Sequence, residues 1–465
     1  MDKALSTEGA GASDAAEKKS LAVKRTDYYL WGSYFLLITV AIIELFSASI
    51  QVARLDNVFY PLIHHGQFLA LGLVIMLIMQ WMHYRVIYKL IPVYVLVTGA
   101  LMVGVLFSGA AEINSAKRAI VIAGTQVLPA DLFKLAVALG LVVILSSSQL
   151  KGKNDISWTG FWVAMIFLGG CTSLLFAHGL SNAIIVMAIG GSMFLVGGVG
   201  FKKLLLAIAL IAVCGGSAYY YKTHQKVDPT VTAIQQRRAE LNYENADSIA
   251  GSGRGLTWNK RTSDHFRPNK HLELLTPEHA QENYSYMAQA HGGFTGVGIG
   301  RSRENARLPL AYSDYIYAII IEELGAVIAI GILLVYLLLL GRAARLTMSF
   351  KQTMPGLMVM GCAFVIVFQA LYHMAIVTGV FPVSGQPLPL ISKGGASVLA
   401  TSMAFGVMLS AARHAVRNTD TVDQARHERS ILPEQAVADN PAMMPPKEEV
   451  KSRFDNKETS ENNED

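Results

Sequence analysis

LPLAYSDYIYAIIIEELGAVIAIGILLVYLLLLG, residues 308–341, decides how the rest of the chain is read. A polar stretch ends at Asp314, and an apolar run long enough to cross a bilayer begins. A helix needs about 20 apolar residues for that crossing. Such runs recur at about 28–49, 62–82, 86–108, 129–147, 158–176, 180–200, 203–222, 313–341, 355–380 and 387–413. The 465 residues are 52% hydrophobic and 16% charged, whereas soluble domains carry about a quarter charged residues. The pattern predicts an all-α polytopic membrane protein of about ten transmembrane helices. Cys171, Cys214 and Cys362 each lie inside an apolar run and read as small buried hydrophobes, with neither metal nor redox spacing.

Orientation follows from the basic loops. Lys18, Lys19, Lys24 and Arg25 precede the first run, and basic residues then mark every second loop: Arg85 and Lys89, Lys151 and Lys153, Lys202 and Lys203, Arg342, Arg345 and Lys351, Arg413 and Arg417. Both termini are therefore expected in the cytoplasm. The net charge of +5 is accounted for by these loops, so no nucleic-acid partner is implied. Lys117 and Arg118 fall in a loop expected outside, which hints at function. The polar N-terminus has no cleavable signal pattern. The expected layout is a cytoplasmic tail over 1–27, spans one to seven over 28–222, an extracytoplasmic loop over 223–312, spans eight to ten over 313–413, and a disordered cytoplasmic tail over 414–465.

Several residues stand out against this apolar background. Asp314 reads either as an N-cap of the helix that follows it or as a base at the membrane's outer edge; the two are compatible, because a helix N-terminus favours an ionised carboxylate. Glu322 and Glu323 lie roughly 12–14 Å further along the same helix. Intramembrane carboxylates face a partner or a wet cavity, and Asp131 and Lys134 are candidate partners. His291, Gly292 and Gly293, followed by Gly296, Gly298 and Gly300, form a glycine-rich turn suited either to close approach by a ligand or simply to turning. PVSGQPLPLISKGGAS, residues 382–397, breaks the chain at the mouth of the last run. Irregular backbone at that depth must be buried or line a cavity. Lys393 within it faces a cavity or snorkels. Nothing in the sequence assembles metal ligands.

Together these stretches resemble the SEDS family (shape, elongation, division and sporulation) of lipid-linked peptidoglycan polymerases. AHGGFTGVGIGRSRENARLPLAYSDYIYAIIIEELG, residues 290–325, is similar to that family's glycine turn and its LPEAHTD segment. PLPLISKGGAS, residues 387–397, is similar to PLPLISYGGSS. SAKRA at 115–119 and LPADLFKL at 128–135 are looser matches. GIGRSREN and the loop segment GRGLTWNKR, residues 253–261, look more like division-type than elongation-type members. Departures are specific: Leu310 and Tyr312 replace a Glu and a His, Leu128 and Asp131 replace a Gln and a Glu, Gly179 replaces an Asp, Ser384 replaces a Lys and Lys393 a Tyr. Asp314 matches the family's essential carboxylate.

The resemblance implies an enzyme that polymerises lipid II into glycan strands for the septal wall, on the outer face of the cytoplasmic (inner) membrane. Inversion at the donor carbon fits a single displacement, with Asp314 as general base. The departing pyrophosphate needs cations or N–H donors. Arg118, Lys134 and Lys393 are candidates, with His291, Gly292, Gly293 and Ser397 as further substrate contacts and Glu322 and Glu323 as structural intramembrane groups. A divalent cation such as Mg or Mn could share the charge. Implied partners are a class B penicillin-binding transpeptidase, other division proteins and membrane lipid. A lipid II flippase, an elongation-type polymerase and a docking scaffold are the competing readings; a transporter would place its essential carboxylate near mid-membrane.

Overall fold

A computed structural model describes residues 26–52, 60–107, 111–113, 116–122, 125–150, 155–210, 280–308 and 311–415. The helices are α1 Tyr28–Val52, α2 Tyr60–Trp81, α3 Tyr84–Phe107, α4 Pro129–Ser147, α5 Trp158–His178, α6 Leu180–Val196, α7 Ala280–Gly292, α8 Ala311–Asp314, α9 Ile316–Ser349, α10 Thr353–Val377 and α11 Gly395–His414. Residues 201–210 are also helical. The predicted seventh span thus begins as expected, and its part beyond 210 lies outside the described residues. So do the stretch 223–279, with its GRGLTWNKR segment, and the tail from 416. Residues 1–348 and 353–414 form one compact unit; a second comprises 349–352 and 415–465, of which only 349–352 and Ala415 are described.

Local chemistry sets the helix starts. The Asp27 carboxylate accepts the N–H groups of Tyr29 and Leu30 at 3.2 Å, capping α1. The same carboxylate takes Arg342 of α9 at 2.7 Å. Pro129 opens α4, where a missing N–H costs nothing. Ser157 caps α5 by accepting the Gly160 N–H at 3.0 Å.

Among the described residues six helices are long and apolar enough to cross a membrane, and three shorter apolar stretches accompany them. They sort into two layers. Of the most apolar windows, 72% of α4 and 83% of both α10 and α11 is buried, against 22% of α3 and 28% of α5 and α9. The inner trio packs together, α10 also against α6, and α11 runs along α2. This is a polytopic membrane fold with a dense helical centre.

Three features depart from the expected outline. Span eight is two pieces: α8 is separate, and α9 is itself broken at Gly325, where φ is 85°. Span ten is helical only from Gly395; residues 382–394 are irregular. The connection between α3 and α4 forms a three-stranded antiparallel sheet, β1 Ala111–Ile113, β2 Ala116–Ile122 and β3 Thr125–Val127, in that order.

Candidate functional site at the helix breaks

The glycine turn closes the break at Gly325. The N–H groups of Val297 and Gly298 donate to the carbonyls of Glu322 and Glu323 at 2.9 and 3.0 Å, and Ala326 N–H donates back to Gly293 at 3.0 Å. Carbonyls freed where α9 leaves helical geometry are thereby satisfied by another backbone. The approach is close enough that a Cβ on Gly292 would overlap the Ile321 carbonyl, and one on Gly296 the Glu323 carbonyl. The glycines expected to contact ligand therefore contact α9. His291 is half-exposed, with Nδ1 3.6 Å from the carboxylates of both Glu304 and Glu322.

Glu322 and Glu323 bond to partners other than the anticipated Asp131 and Lys134. Glu322 accepts the Arg303 N–H at 3.0 Å and the Ser302 hydroxyl. Glu323 accepts the Gly300 N–H at 3.0 Å and the hydroxyl of Ser47 on α1. The pair ties residues 300–303 to α9. Asp131 and Lys134 pair with each other instead.

Lys134 is wholly buried. Its ammonium meets Asp131 at 2.7 Å, Gln369 at 2.8 Å and Gln386 at 3.3 Å. Three N–H donors thus have three acceptors, which makes Lys134 a strut of the irregular segment rather than a contact for pyrophosphate. More side chains hold that segment. Gln369 donates to the Pro387 carbonyl at 3.0 Å and to Ser397 at 3.4 Å. His373 Nδ1 donates to the Gln386 carbonyl at 2.6 Å, and Tyr336 to the Pro389 carbonyl at 2.6 Å. Ser397 is buried in this network rather than open to substrate. Ser181 and Ser384 bond through their hydroxyls. Leu390 holds a φ of 65°, a left-handed conformation costly for a side-chain-bearing residue.

The α8–α9 junction is stitched onto this segment. Ser392 Oγ accepts the Leu388 N–H at 2.7 Å and donates to the Ser313 carbonyl at 2.8 Å. Lys393 N–H donates to the Tyr312 carbonyl at 3.0 Å, and its ammonium lies 4.7 Å from the Tyr312 ring centroid, a cation–π distance. Asp314 sits between. Ser313 Oγ donates to Asp314 Oδ1 at 3.0 Å, and Oδ2 is 2.8 Å from where a Cβ on Gly385 would stand. The N–H groups of Ala318 and Ile319 reach the Tyr315 carbonyl at 2.9 and 3.4 Å, so the first turn of α9 starts directly after Asp314.

The site thus brings a half-buried carboxylate, on the α8–α9 junction, and a half-buried lysine, on the irregular segment, to the point where two interrupted helices meet. Arg118 lies in β2, and its side chain is outside the described residues. Gln369, His373, Gln386, Ser392 and Tyr336 escaped the sequence reading because each is an ordinary polar residue in or beside an apolar run. Gln369 and His373 lie in α10, Tyr336 in α9, and Gln386 and Ser392 in the irregular segment.

Membrane-spanning helices broken around a carboxylate, with a buried ion pair as support, define a polytopic membrane protein carrying a polar site at the mouths of its spans. The chain belongs to the FtsW/RodA/SpoVE family, described as cell cycle proteins, whose model matches residues 28–251 and 266–417. It is 28% identical over 401 residues to the "probable peptidoglycan glycosyltransferase FtsW" of Alcanivorax borkumensis, covering 83% of this chain and 92% of that one. To the protein of the same name from Xanthomonas oryzae pv. oryzae it is 26% identical over 427 residues, covering 90% and 77%. Among solved structures it is similar to a chain of a peptidoglycan synthase complex that coordinates polymerization and crosslinking, with TM-score 0.60, 21% identity and coverage of 84% and 98%. The rod shape determining protein RodA of Thermus thermophilus matches with TM-score 0.55, 20% identity and coverage of 85% and 99%. At these identities the structures establish a shared fold.

Proposed function

We propose that this chain is a peptidoglycan glycosyltransferase that polymerises lipid II into glycan strands for septal wall synthesis, on the outer face of the cytoplasmic membrane. The observation that carries this is the position of Asp314. In a chain of this family, the carboxylate is held by the α8–α9 junction against Gly385 of the irregular segment, which also carries Lys393 over the Tyr312 ring. The names of the full-length relatives support the activity.

Asp314 takes the proton of the acceptor hydroxyl as that oxygen attacks the donor sugar carbon. The carbon inverts, and the lipid pyrophosphate leaves with the bonding electron pair. A placed base contributes about 10²- to 10⁴-fold. The leaving group gains charge, and Lys393 is the cation at hand, with Arg118 as a second candidate. Among the described residues no three His, Cys, Asp or Glu side chains are grouped to hold a metal ion. A class B penicillin-binding transpeptidase is the proposed partner, supported by the similarity to a chain of a synthase complex.

The test is glycan polymerisation from purified lipid II in detergent, with and without the transpeptidase, for wild type and Asp314→Ala. Polymer from wild type and none from the variant is expected. A normal yield from Asp314→Ala removes the central claim. Because detergent abolishes sidedness, product from wild type also excludes transport as the source of the signal.

A further inference from the structure

Gly385, which stands against Asp314, also lines a narrow cavity, together with Asp131, His178, Asn182 and Gln386 among others. Its polar walls include a carboxylate and two side-chain amides. Asn182, at the start of α6, is 9% exposed, and its Oδ1 has no hydrogen-bond partner among the described residues. Asp131 contributes a carboxylate, one oxygen of which is engaged by Lys134. His178 places Nδ1 3.0 Å from the Leu174 carbonyl, so Nδ1 carries the hydrogen. Such walls repel phosphate oxygens and suit hydroxyl or amide N–H groups. A buried amide oxygen without a partner is costly, and a ligand that donates to it recovers the cost.

Gly385 belongs to the wall of this cavity and also stands against the Asp314 carboxylate. A side chain at 385 would enter the space held by the carboxylate. We infer that the cavity is the acceptor subsite: it takes a hydroxyl or acetamido N–H of the accepting sugar, with Asn182 as the residue that positions it, so that the neighbouring hydroxyl meets Asp314. The inference rests on the polymerase reading. It assigns the acceptor sugar to the face formed by α4, α6 and residues 384–387, and leaves the pyrophosphate to the Lys393 side.

Two probes separate the subsites. Lipid II methylated at its terminal 4-hydroxyl can only donate, and a disaccharide methyl glycoside that lacks pyrophosphate can only accept. Asn182→Leu is expected to raise KM for the glycoside about tenfold, the worth of one buried hydrogen bond. KM for the blocked lipid II and kcat should stay within about twofold. Asn182→Ser, which keeps an oxygen acceptor, should recover part of the loss. Equal rises for both probes, or none for the glycoside, overturn the inference. If the leucine variant does not insert, Asn182→Ala carries the same comparison. No product from wild type would sink the polymerase reading itself. Equilibrium binding of the glycoside to wild type and variant then still decides the subsite, and equal binding overturns it.

Discussion

The chain interrupts its membrane helices twice, and the two interruptions are repaired by different chemistry. At Gly325 the freed backbone groups are met by backbone, from a turn whose glycines allow main chain to touch main chain. At 382–394 they are met largely by side chains: Gln369, His373, Tyr336 and Ser392, braced by Lys134. Backbone repair tolerates no added atom but makes few demands on side-chain identity elsewhere. Side-chain repair demands particular polar groups and permits adjustment, since each can be exchanged for another of similar reach. The candidate site lies where the side-chain-repaired segment meets the α8–α9 junction. Asp314 and Lys393 occupy the seam.

Five substitutions test that contrast, in decreasing order of expected effect. Asp314→Asn removes the base without disturbing either repair. Polymerisation should fall about 10²- to 10⁴-fold, or roughly 3–5 kcal/mol of barrier, while unfolding temperature in detergent stays near wild type. A matching loss of stability would instead mark Asp314 as part of the scaffold.

Lys134→Met strips the brace from the second repair and leaves Asp131 buried without its cation. The expected cost is about 3–5 kcal/mol, and Asp131→Leu combined with Lys134→Met should cost less than the single change. Denaturant unfolding of the two variants checks this, and additive costs would disprove the coupling.

At the first repair, Gly296→Ala forces a Cβ against a carbonyl at a φ of 77°. About 2–4 kcal/mol should be lost by the same measurement. Gly331→Ala is the control: nothing lies within 4 Å of its added Cβ, so it should change stability by less than about 1 kcal/mol. Similar behaviour of the two glycines would remove the close-approach argument.

Ser392→Ala loses one side-chain link in the second repair, for about 1–2 kcal/mol. Faster amide exchange at Leu388 should report it, and unchanged protection there would show that the link is unused.

The smallest effect is expected away from both breaks. Asp155 accepts from Lys203 at 2.7 Å and from the Gly200 N–H at 2.9 Å, and the Lys203 hydrogen bond leads in holding its carboxyl below the ordinary value. A depressed carboxyl stabilises the fold above its unfolded value near pH ~4, and that contribution fades as pH falls through the lower folded value. Asp155→Asn should flatten unfolding temperature against pH below about pH 4, and unchanged acid dependence would remove this assignment.

Much of the architecture was legible in the sequence because membrane spans announce themselves. Bilayer thickness sets the run length, and exclusion of water leaves helices as the solution. The runs beginning near 28, 62, 86, 129, 158 and 180 all became helices within a few residues. The starts of the last spans were less legible. IYAIIIEEL reads as continuous helix whether or not Gly325 turns out, and PLPLISKGG shows a break without showing what fills it. The candidate site was legible at Asp314 and Lys393, both conspicuous as charges beside apolar runs. The bracing role of Lys134 was not legible, because two of its three acceptors come from residues 369 and 386, more than two hundred positions away.

The sequence by itself determined the membrane class, the approximate spans and the family resemblance, since hydropathy, charge asymmetry and local motifs are one-dimensional quantities. Tertiary structure alone decided which glycines touch backbone, which polar residues repair which break, and that Asn182 and Gly385 line one cavity. Those are facts of distance between segments far apart in the chain. Nearly every polar group removed from water must find a partner, but which partner it finds depends on how the helices pack.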